Sequence, residues 1–477
     1  MLFILFPNPN PHIDAWYYAA CVKHQEDLLM NHHLLYNLAG FVWHQIISFF
    51  IPQIEAMTSL NLLNSLCGTA SLFCIYSIFL KLNSQKNQAF LLSLLYGVCF
   101  GFWRYSIEAE TYIIPLFLSL LSTNLYFNKS KWLLSGLLAA LSILFHQVHL
   151  WWGLAFVFGL YFSDSSVKEK FKFIIPFAII PIVYVLVFLT QSTHDSFFTF
   201  ILGEYQGGHA SIQIKPMSFV LTGVNFFRSF IQLHGEIMIF IVTYFEIFIF
   251  LLLLAFYFGV KTWSNRFNYQ FNRITTAYPH VKWGLILAFI FHLLFAFLSD
   301  GNVEFMVMLP FLIVAILVSK FQIQAQGLLR YCVTVLFVWN FSFGVLIHYI
   351  FNTNNSQTQV KLALEHPNDL FIWSNQPLIQ NQIIYKKGFQ YHSNFVKHDT
   401  VQSGTLYLAM KNGKRVFTDL GIKKSSWSRA GMISKQENNA FLKYFNTRNI
   451  DSFENIYGKN YIEELILSDK LLFLQAQ

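Results

Sequence analysis

Charged side chains are scarce in this sequence. Asp, Glu, Lys and Arg make up 12% of its 477 residues, whereas hydrophobic residues make up 55% and aromatic residues 18%. An average soluble domain has about 25% charged residues, so a water-covered globular surface of ordinary composition is excluded. Together with a mean hydropathy of +0.46, the composition predicts a polytopic membrane protein.

Cysteine is scarce as well, and its placement gives no indication of cysteine chemistry. Four of the five cysteines, Cys67, Cys74, Cys99 and Cys332, lie in apolar runs, where a thiol behaves as a small hydrophobe. Cys21 has no partner at a zinc or disulfide spacing. The net charge is +8, but Lys and Arg form no basic face with interleaved aromatics, so a nucleic-acid partner is not expected.

Long apolar runs dominate the sequence. A helix needs about 20 residues to cross a bilayer, and the sequence predicts spans at about 57–80, 89–105, 112–128, 131–148, 150–163, 170–190, 236–260, 282–299, 303–320 and 328–351. Residues 38–54 are interrupted by His44, Gln45 and Pro52, which favours an interfacial helix. The start, MLFILFPNPNPH, lacks the features of a signal peptide, and we interpret it as the outer end of a first helix whose beginning is missing. The prediction is about eleven crossings.

Positive charge alternates between the connections, which predicts their orientation. Every second connection is rich in Lys and Arg, at 81–86, 129–131, 168–172, 261–282 and 320–330. These connections are predicted to be cytoplasmic by the positive-inside rule, in a bacterial inner membrane. The others then share the outer face, including residues 191–235, whose half-apolar stretches 196–203 and 217–233 predict interfacial helices.

The composition changes after residue 352. Residues 353–477 are more polar, with short β-like runs at 370–374, 382–385, 405–410 and 415–420 and a helix-like run at 437–445. We therefore predict two domains. An all-α transmembrane domain covers residues 1–352 and includes a first outer loop at 12–56, and a small extracytoplasmic α/β domain covers residues 353–477.

Acids beside the predicted outer ends of helices are the candidate catalytic groups. An ionised carboxylate costs roughly 2.5–3.5 kcal/mol at the bilayer centre, so its presence near apolar surroundings needs a reason. Asp14 lies among aromatics in DAWYY, Glu108 and Glu110 lie in FWRYSIEAETY, and Glu304 precedes a span in GNVEFMVMLP. On a helix, Glu108 and Glu110 would point about 200° apart, so only one is expected to face a shared cavity. Glu108 has an alternative interpretation as a solvated residue or a partner of Arg104.

Histidines mark the same predicted face. His32 and His33 are adjacent in HHLLYN, which ends at Tyr36 and Asn37, and one of the two imidazoles is a candidate for binding a phosphate or a sugar. His146 and His149 are three residues apart in FHQVHLWW, on nearly one face of a helix. A metal pair is conceivable there, but a hydrogen-bonding pair at a helix interface is the more ordinary interpretation.

The order of these motifs resembles the GT-C superfamily of polytopic glycosyltransferases, particularly the bacterial relatives of protein O-mannosyltransferases. The resemblance covers about residues 12–320 and rests on DAWYY, HHLLYN, FWRYSIEAETY, FHQVHLWW and GNVEFMVMLP. It implies that Asp14 matches the family's first-loop acid and that Glu110 or Glu108 matches its second acid. The predicted substrate-binding residues are His32, His33, Tyr36, Arg104, His146, Gln147 and Glu304.

The resemblance implies an inverting transfer of a sugar from a polyprenyl-phosphate carrier to an acceptor on the outer face. A carboxylate, Asp14, would take the acceptor's proton, and Arg104, His146 and Arg228 are candidates to stabilise the departing phosphate. The expected partners are the lipid-linked donor, a polar acceptor that is a glycan, lipid or protein, and membrane lipid. No metal ligands are assigned; a divalent metal is possible but not required.

Two other functions share these spans and outer loops. A transporter or flippase of lipid-linked saccharides would place acids or Gly and Pro breaks in the middle of helices, along a path. A scaffold protein of the cell envelope would not need acids held beside aromatics.

Overall fold

The computed structural model describes most of the chain. It covers residues 2–468 apart from 83, 192–195, 208–213, 234–244, 247–248, 251–252, 255–256, 258–269, 274–276, 325, 353–355, 392–393, 422–432 and 434–439. Most of the predicted span 236–260 and the start of the helix-like run 437–445 therefore lie outside the described residues. The chain divides into two compact units: the membrane unit, residues 1–7 and 27–346, and the C-terminal unit, residues 8–26 and 347–477.

Helices form most of the described chain. They are α1 Leu2–Leu5, α2 Ile13–His24, α3 Tyr36–Phe50, α4 Ala56–Lys81, α5 Lys86–Gly97, α6 Phe100–Ser106, α7 Ile113–Tyr126, α8 Trp132–Phe145, α9 Leu150–Gly159, α10 Val167–Ile174, α11 Ile179–Gln191, α12 Phe197–Gly207, α13 Pro216–Phe230, α14 Pro279–Leu298, α15 Leu309–Lys320, α16 Gln326–Asn340, α17 Ile347–Ile350, α18 Gln357–Glu365, α19 Gln376–Lys387 and α20 Ser403–Lys411. The strands are β1 Gln270–Arg273, β2 Phe321–Gln324, β3 Leu370–Ile372, β4 Val416–Thr418, β5 Phe445–Asn455 and β6 Gly458–Leu467.

Several helices are long and apolar enough to cross a membrane, so the chain is an integral membrane protein. Among the described residues there are five by length and composition, at Ala56–Lys81, Val167–Thr190, Pro279–Leu298, Val303–Lys320 and Gln326–Ile350. A sixth is formed if α5 and α6, which are bent by 71° at their junction, act as one span. Helices also occupy the shorter predicted spans 112–128, 131–148 and 150–163. The count of about eleven crossings stays a prediction.

The connections of the membrane unit meet in two separate groups. In the predicted cytoplasmic group, Lys81 Nζ donates to Asn124 O at 2.7 Å, and the rings of Phe127 and Tyr278 are 4.9 Å apart. In the predicted outer group, the rings of His33 and His146 are 4.5 Å apart. Alternating connections of a helical bundle require such a grouping, which therefore supports the predicted alternation.

A close helix approach fixes the end of α6. A Cβ atom at Gly68 in α4 would lie 2.5 Å from Ser106 Oγ, so only glycine lets the two helices pack at this distance. Ser65 Oγ of α4 also donates to Ser106 O at 2.9 Å. Because Ser106 is the last residue of α6, these contacts set the direction in which the chain leaves the helix.

The C-terminal unit contains the predicted small α/β domain. Its sheet has the order β3-β4-β6-β5, in which β3 and β4 are parallel and the other pairs are antiparallel. Phe371 and Phe417 pack on one face with α18 and α19, while Ile372 and Val416 pack on the other with α20. The alternation of neighbouring residues between two apolar cores is what a sheet covered on both faces requires.

Two of the predicted β-like runs are helices. Residues 382–385 belong to α19 and residues 405–410 to α20. The buried residues of α19, Leu378, Ile379 and Ile383, repeat with the helical period, which the short apolar run IIY does not show by itself. Phe445, predicted to end a helix, instead begins β5.

Glu464 joins three segments of the C-terminal sheet. Its carboxylate accepts from Arg415 at 2.9 and 3.1 Å and from Arg448, which lies directly opposite on β5, at 2.7 Å. The hydrogen bonds from Arg415 contribute most to a lowered pKa of Glu464, and Arg448 adds to the effect. The ionised carboxylate is therefore favoured by the folded state.

We predict that Glu464→Gln destabilises the C-terminal unit at neutral pH. The loss should be about 1 kcal/mol, because both arginines are partly exposed and solvent screens them. The pKa of Glu464 is lower in the folded state than the unfolded value of about 4.3, so the ionised carboxylate stabilises the folded state at pH values above about 4.3. This stability is lost as the pH falls through the folded pKa. Hydrogen exchange of β6 amides in the full-length chain, compared at pH 7 and at acidic pH, measures the difference.

The matched control is Glu454→Gln, because Glu454 is exposed and faces Lys459 on the same hairpin. This change should alter exchange little at either pH. Equal protection of β6 in Glu464→Gln and in the unaltered chain at pH 7 would contradict the prediction.

Candidate functional site

The two acids of FWRYSIEAETY lie in a tight turn between α6 and α7. Glu108 and Glu110 are 1% and 3% exposed, and Glu110 N donates to Glu108 O at 2.8 Å. Asn64 Nδ2 of α4 donates to the carbonyl oxygens of both residues, at 2.6 and 2.7 Å. The expectation that these acids point about 200° apart assumed a helix and is wrong, because α6 has already ended at Ser106.

Glu108 is paired and Tyr36 lies beside the same turn. Arg104 Nε is 3.6 Å from Glu108 Oε2, and the side chains are 18% and 1% exposed. Tyr36 is fully buried, and its pKa is raised well above the ordinary value, first by burial and then by Glu110, against a lowering by Asn64. Tyr36 is therefore a neutral hydroxyl, suited to donating a hydrogen bond and unsuited to acting as a base.

His146 lies at a helix break. α8 ends at Phe145, and His146 is extended, with φ −158° and ψ 122°. Its Nδ1 accepts from Val148 N at 3.1 Å, so in neutral His146 we assign the proton to Nε2. His149 contacts Ser119 Oγ through Nδ1 at 2.8 Å instead. The break explains why the two histidines do not share the helical face predicted for them.

His32, His33 and Gln147 join the first loop to this break. His32 Nδ1 is 3.0 Å from Gln147 Oε1, an acceptor, so His32 donates. Gln147 N in turn donates to His32 O at 3.2 Å. Burial, with a smaller effect of His32, lowers the pKa of His33 to about 3. His33 is therefore neutral at physiological pH and offers a hydrogen bond rather than a positive charge.

Tyr112 joins Glu304 to the histidines of the two preceding loops. We call His32, His33, Tyr112, His146, Gln147 and Glu304 the polar cluster. The Tyr112 hydroxyl donates to Glu304 Oε2 at 2.7 Å, and Asn302 Nδ2 donates to the same oxygen at 3.2 Å. The Tyr112 ring is 5.0 Å from that of His146, which is 4.5 Å from that of His33. Glu304, Tyr112, His146 and His33 therefore form one continuous row of polar side chains.

The loop before Glu304 is fixed by the amphipathic helix α13. Asp300 accepts from Ser218 Oγ at 2.8 Å and lies 3.5 Å from Lys215 Nζ. Asn225 Nδ2 donates to Gly301 O at 2.7 Å, and Asn225 Oδ1 accepts from Arg228 at 2.9 Å. These bonds place the Arg228 guanidinium beside the loop that carries Glu304.

An apolar groove of about 500 Å³ adjoins the cluster. Its walls come from α8, α9, α11, α12 and α14, and include Ile143, Trp151, Ile180, Ile201 and Phe295. Gln147, one of its few polar lining residues, is the residue that contacts His32. The groove thus runs from an apolar wall to the polar cluster.

Asp14 belongs to the C-terminal unit. It is exposed and lies in the first turn of α2, where the helix dipole favours a negative charge. We predict that Asp14 comes within one substrate's width of Glu108 or Glu110. The other predicted site residues all lie in the membrane unit.

Comparison with solved structures gives the fold. Archaeal oligosaccharyltransferase AglB from Archaeoglobus fulgidus, in complex with an inhibitory peptide and a dolichol-phosphate, is similar over 96% of this chain and 70% of its own, with a TM-score of 0.48 and 10% identity. ArnT from Cupriavidus metallidurans, bound to undecaprenyl phosphate, is similar over 96% of this chain and 94% of its own, with a TM-score of 0.53 and 9% identity. This chain has the GT-C fold. No family model and no curated protein matches the sequence.

The GT-C fold of the membrane unit brings the predicted residues of separate loops together. Contacts link Arg104, Glu108, Glu110 and Tyr36 around Asn64, and link His32, His33, His146, Gln147 and Glu304 through Tyr112. In the part of the chain that the structure describes, no three His, Cys, Asp or Glu side chains are grouped to hold a metal ion.

Sequence reasoning missed Asn64, Tyr112 and Asn302, which support the acids of this GT-C fold. Asn64 was identifiable, because an amide inside an apolar span is costly unless it is hydrogen-bonded. Tyr112 is the last residue of the motif FWRYSIEAETY, and Asn302 lies two residues before Glu304 in GNVE. Their hydrogen-bonding roles depend on contacts between distant segments, which no local pattern shows.

We predict that Asn64→Ala destabilises the turn that carries Glu108 and Glu110. It leaves two buried carbonyls without their donor, which costs about 1–3 kcal/mol for each group. Thermal unfolding of the detergent-solubilised chain should show a lower midpoint. The control is Thr69→Ala on the same helix, because Thr69 bonds only the local Ser65 carbonyl. Equal midpoints for the two variants would contradict the role of Asn64.

Proposed function

We propose that the chain is an integral-membrane glycosyltransferase that moves a sugar from a polyprenyl-phosphate-linked donor to a polar acceptor on the extracytoplasmic face. The observation that carries the proposal is the apolar groove that meets the polar cluster at Gln147. A polyprenyl-phosphate needs this combination, because its chain is apolar and its phosphate is charged. The GT-C fold supports it, since ArnT with the same fold is bound to undecaprenyl phosphate.

The cluster supplies groups for the donor phosphate. Arg104 and Arg228 carry positive charge, and the imidazoles of His32, His33 and His146 supply hydrogen-bonding groups. Such donors stabilise the charge that develops on the departing phosphate oxygen, and they act most strongly where water is excluded. We assign Tyr36, Gln147 and Glu304 to binding of the sugar or phosphate in the same region.

Asp14 is the proposed general base and Glu110 the second acid, with Glu108 as its alternative. Asp14 takes the proton of the acceptor hydroxyl while the acceptor oxygen forms a bond to the anomeric carbon. The bond from that carbon to the phosphate oxygen breaks, and polyprenyl phosphate leaves with the electron pair. Attack opposite the leaving group inverts the anomeric configuration.

The distribution of acids favours a transferase over a transporter or flippase. The described spanning helices carry their acids at their ends, as with Glu169 and Glu304, and none in the middle. The acids that a transport path would place in the middle of helices are therefore not found in the described spans. A scaffold protein would have no need for the contacts that join Glu304, His146 and His33 through Tyr112.

The orientation follows from the alternation of positive charge. We propose a multi-pass protein of about eleven crossings in a bacterial inner membrane, with the polar cluster and the domain at 353–477 on the extracytoplasmic face. Contacts at the two ends of α7 support this orientation: Lys81 bonds Asn124 near one end, and Tyr112 at the other end bonds Glu304.

We predict that filling the groove weakens binding of the lipid carrier. Ile201→Trp enlarges a lining side chain, so the affinity of the purified chain for undecaprenyl phosphate should fall about 10-fold or more, since a 1.4 kcal/mol loss of binding free energy is tenfold. Native mass spectrometry or a fluorescence titration measures the affinity.

The matched control is Phe198→Trp on the same helix, because Phe198 is 76% exposed and does not line the groove. Its affinity should equal that of the unaltered chain. Unchanged affinity in Ile201→Trp, or an equal loss in both variants, would exclude the groove as the carrier site.

We predict that Asp14→Asn lowers the transfer rate per folded molecule by about 10²–10⁴-fold, because the amide keeps the size of the side chain but cannot accept the proton. The assay uses membranes supplied with a polyprenyl-phosphate-linked sugar and measures both transfer and folded protein. Glu26→Gln, at an exposed acid of the same loop, is the control. Full specific activity in Asp14→Asn would remove Asp14 from the mechanism, and a loss of yield alone would make its role structural.

A further inference from the structure

The helix that carries Asp14 is built into the C-terminal unit. Residues 8–26 are separated from residues 347–477 by most of the sequence, yet they form one compact unit with them. Within it, α2 packs along α19, and the two form one of the most extensive helix pairs of the described chain. Residues 347–477 therefore contribute directly to the surroundings of α2.

The segment before α2 is anchored by Asn10. Its Nδ2 donates to His348 O at 2.6 Å and to Phe351 O at 3.0 Å, carbonyls at the end of α17. Such carbonyls have no partner within their own helix. Asn10 N also donates to Asn8 Oδ1 at 2.9 Å, so the chain enters α2 along a fixed path.

The first turn of α2 is held by Asn381. Its Nδ2 donates to Ile13 O at 2.9 Å, the carbonyl of the peptide that joins Ile13 to Asp14. This bond fixes the backbone immediately before the proposed base. The bond comes from a single side chain in the middle of α19 and does not involve the packing along the rest of α2.

The last turn of α2 is held by Tyr385. Lys23 Nζ and His24 Nε2 contact Tyr385 O, a carbonyl in the last turn of α19, at 3.0 and 3.1 Å. The Lys23 ammonium lies 4.4 Å from the centre of the Tyr385 ring, and the Trp16 ring is 5.2 Å from it. Cation–π and edge-to-face contacts of this kind stabilise the packing of the two helices.

We propose that Asn381 and Tyr385 are positioning residues for Asp14, and that a function of the C-terminal unit is to hold the base of the transfer reaction. The inference rests on the proposed function, in which Asp14 takes the acceptor's proton. Fixation at both ends of α2 restricts its translation and rotation. A base must lie within hydrogen-bond reach of the proton it removes, so this restriction acts on the rate.

The test compares Asn381→Ala with Gln380→Ala in the full-length chain. Gln380 is the exposed neighbour on the same helix. In Asn381→Ala the kcat for transfer from an undecaprenyl-phosphate-linked sugar should fall by about 10- to 100-fold, since misplacing a reacting group by about 1 Å can cost 10²-fold. The KM for that donor should not change, because the proposed donor-binding residues belong to the membrane unit. Gln380→Ala should keep both constants.

Hydrogen exchange separates positioning from loss of folding. In Asn381→Ala, exchange should accelerate in residues 13–24 and stay unchanged in α20. Uniform acceleration throughout the C-terminal unit would show a structural role and overturn the inference. Tyr385→Ala should lower kcat as well, because it removes the ring that contacts Lys23 and Trp16. Tyr385→Phe should restore kcat, because phenylalanine keeps that ring.

The outcomes distinguish this inference from the proposed function. An inactive Asp14→Asn together with full kcat in Asn381→Ala and Tyr385→Ala overturns the positioning role and leaves the base in place. Full kcat in Asp14→Asn overturns the base and, with it, the inference. A raised donor KM in Asn381→Ala with unchanged kcat would assign Asn381 to substrate binding and contradict the proposal.

Discussion

The candidate site depends on one constraint, the need to satisfy backbone groups freed by a break in an apolar helical bundle. Away from water, irregular backbone persists only where side chains replace its lost hydrogen bonds. Asn64 does this for the turn between α6 and α7 by donating to the carbonyls of Glu108 and Glu110. The acids therefore have fixed positions because an amide of a neighbouring helix holds their backbone. Gly68, one turn further along the same helix, permits the close approach.

The positions of spanning helices in the membrane unit could be predicted from the sequence. Each spanning helix must be long and apolar enough to cross the bilayer, and its own residues show this without reference to any other segment. The run predicted at 57–80 is the helix Ala56–Lys81, and that at 282–299 is Pro279–Leu298. The convergence of Glu110, His146 and Glu304 followed from alternation, since every second connection must reach the same end. The identification of polar residues near helix ends thus needed no tertiary contact.

Backbone conformation at the site could not be predicted, because it is decided by partners distant in sequence. His146 continues an apolar run, and its ring packs against His33, which is distant in the sequence, where the helix breaks. Residues 382–385 show β-branched residues in a short window, while the buried face of α19 becomes visible only over a longer stretch. Local propensity is a weak prior where tertiary burial decides.

The electrostatics of the cluster constrain how it binds a phosphate under the proposed function. His33 has a pKa of about 3, and Tyr36 stays protonated because burial and Glu110 raise its pKa. Neither side chain changes charge near neutral pH. Arginine, which is effectively always protonated, supplies positive charge beside these side chains. Since Arg104 is already paired with Glu108, a bound phosphate would compete with that carboxylate for one guanidinium.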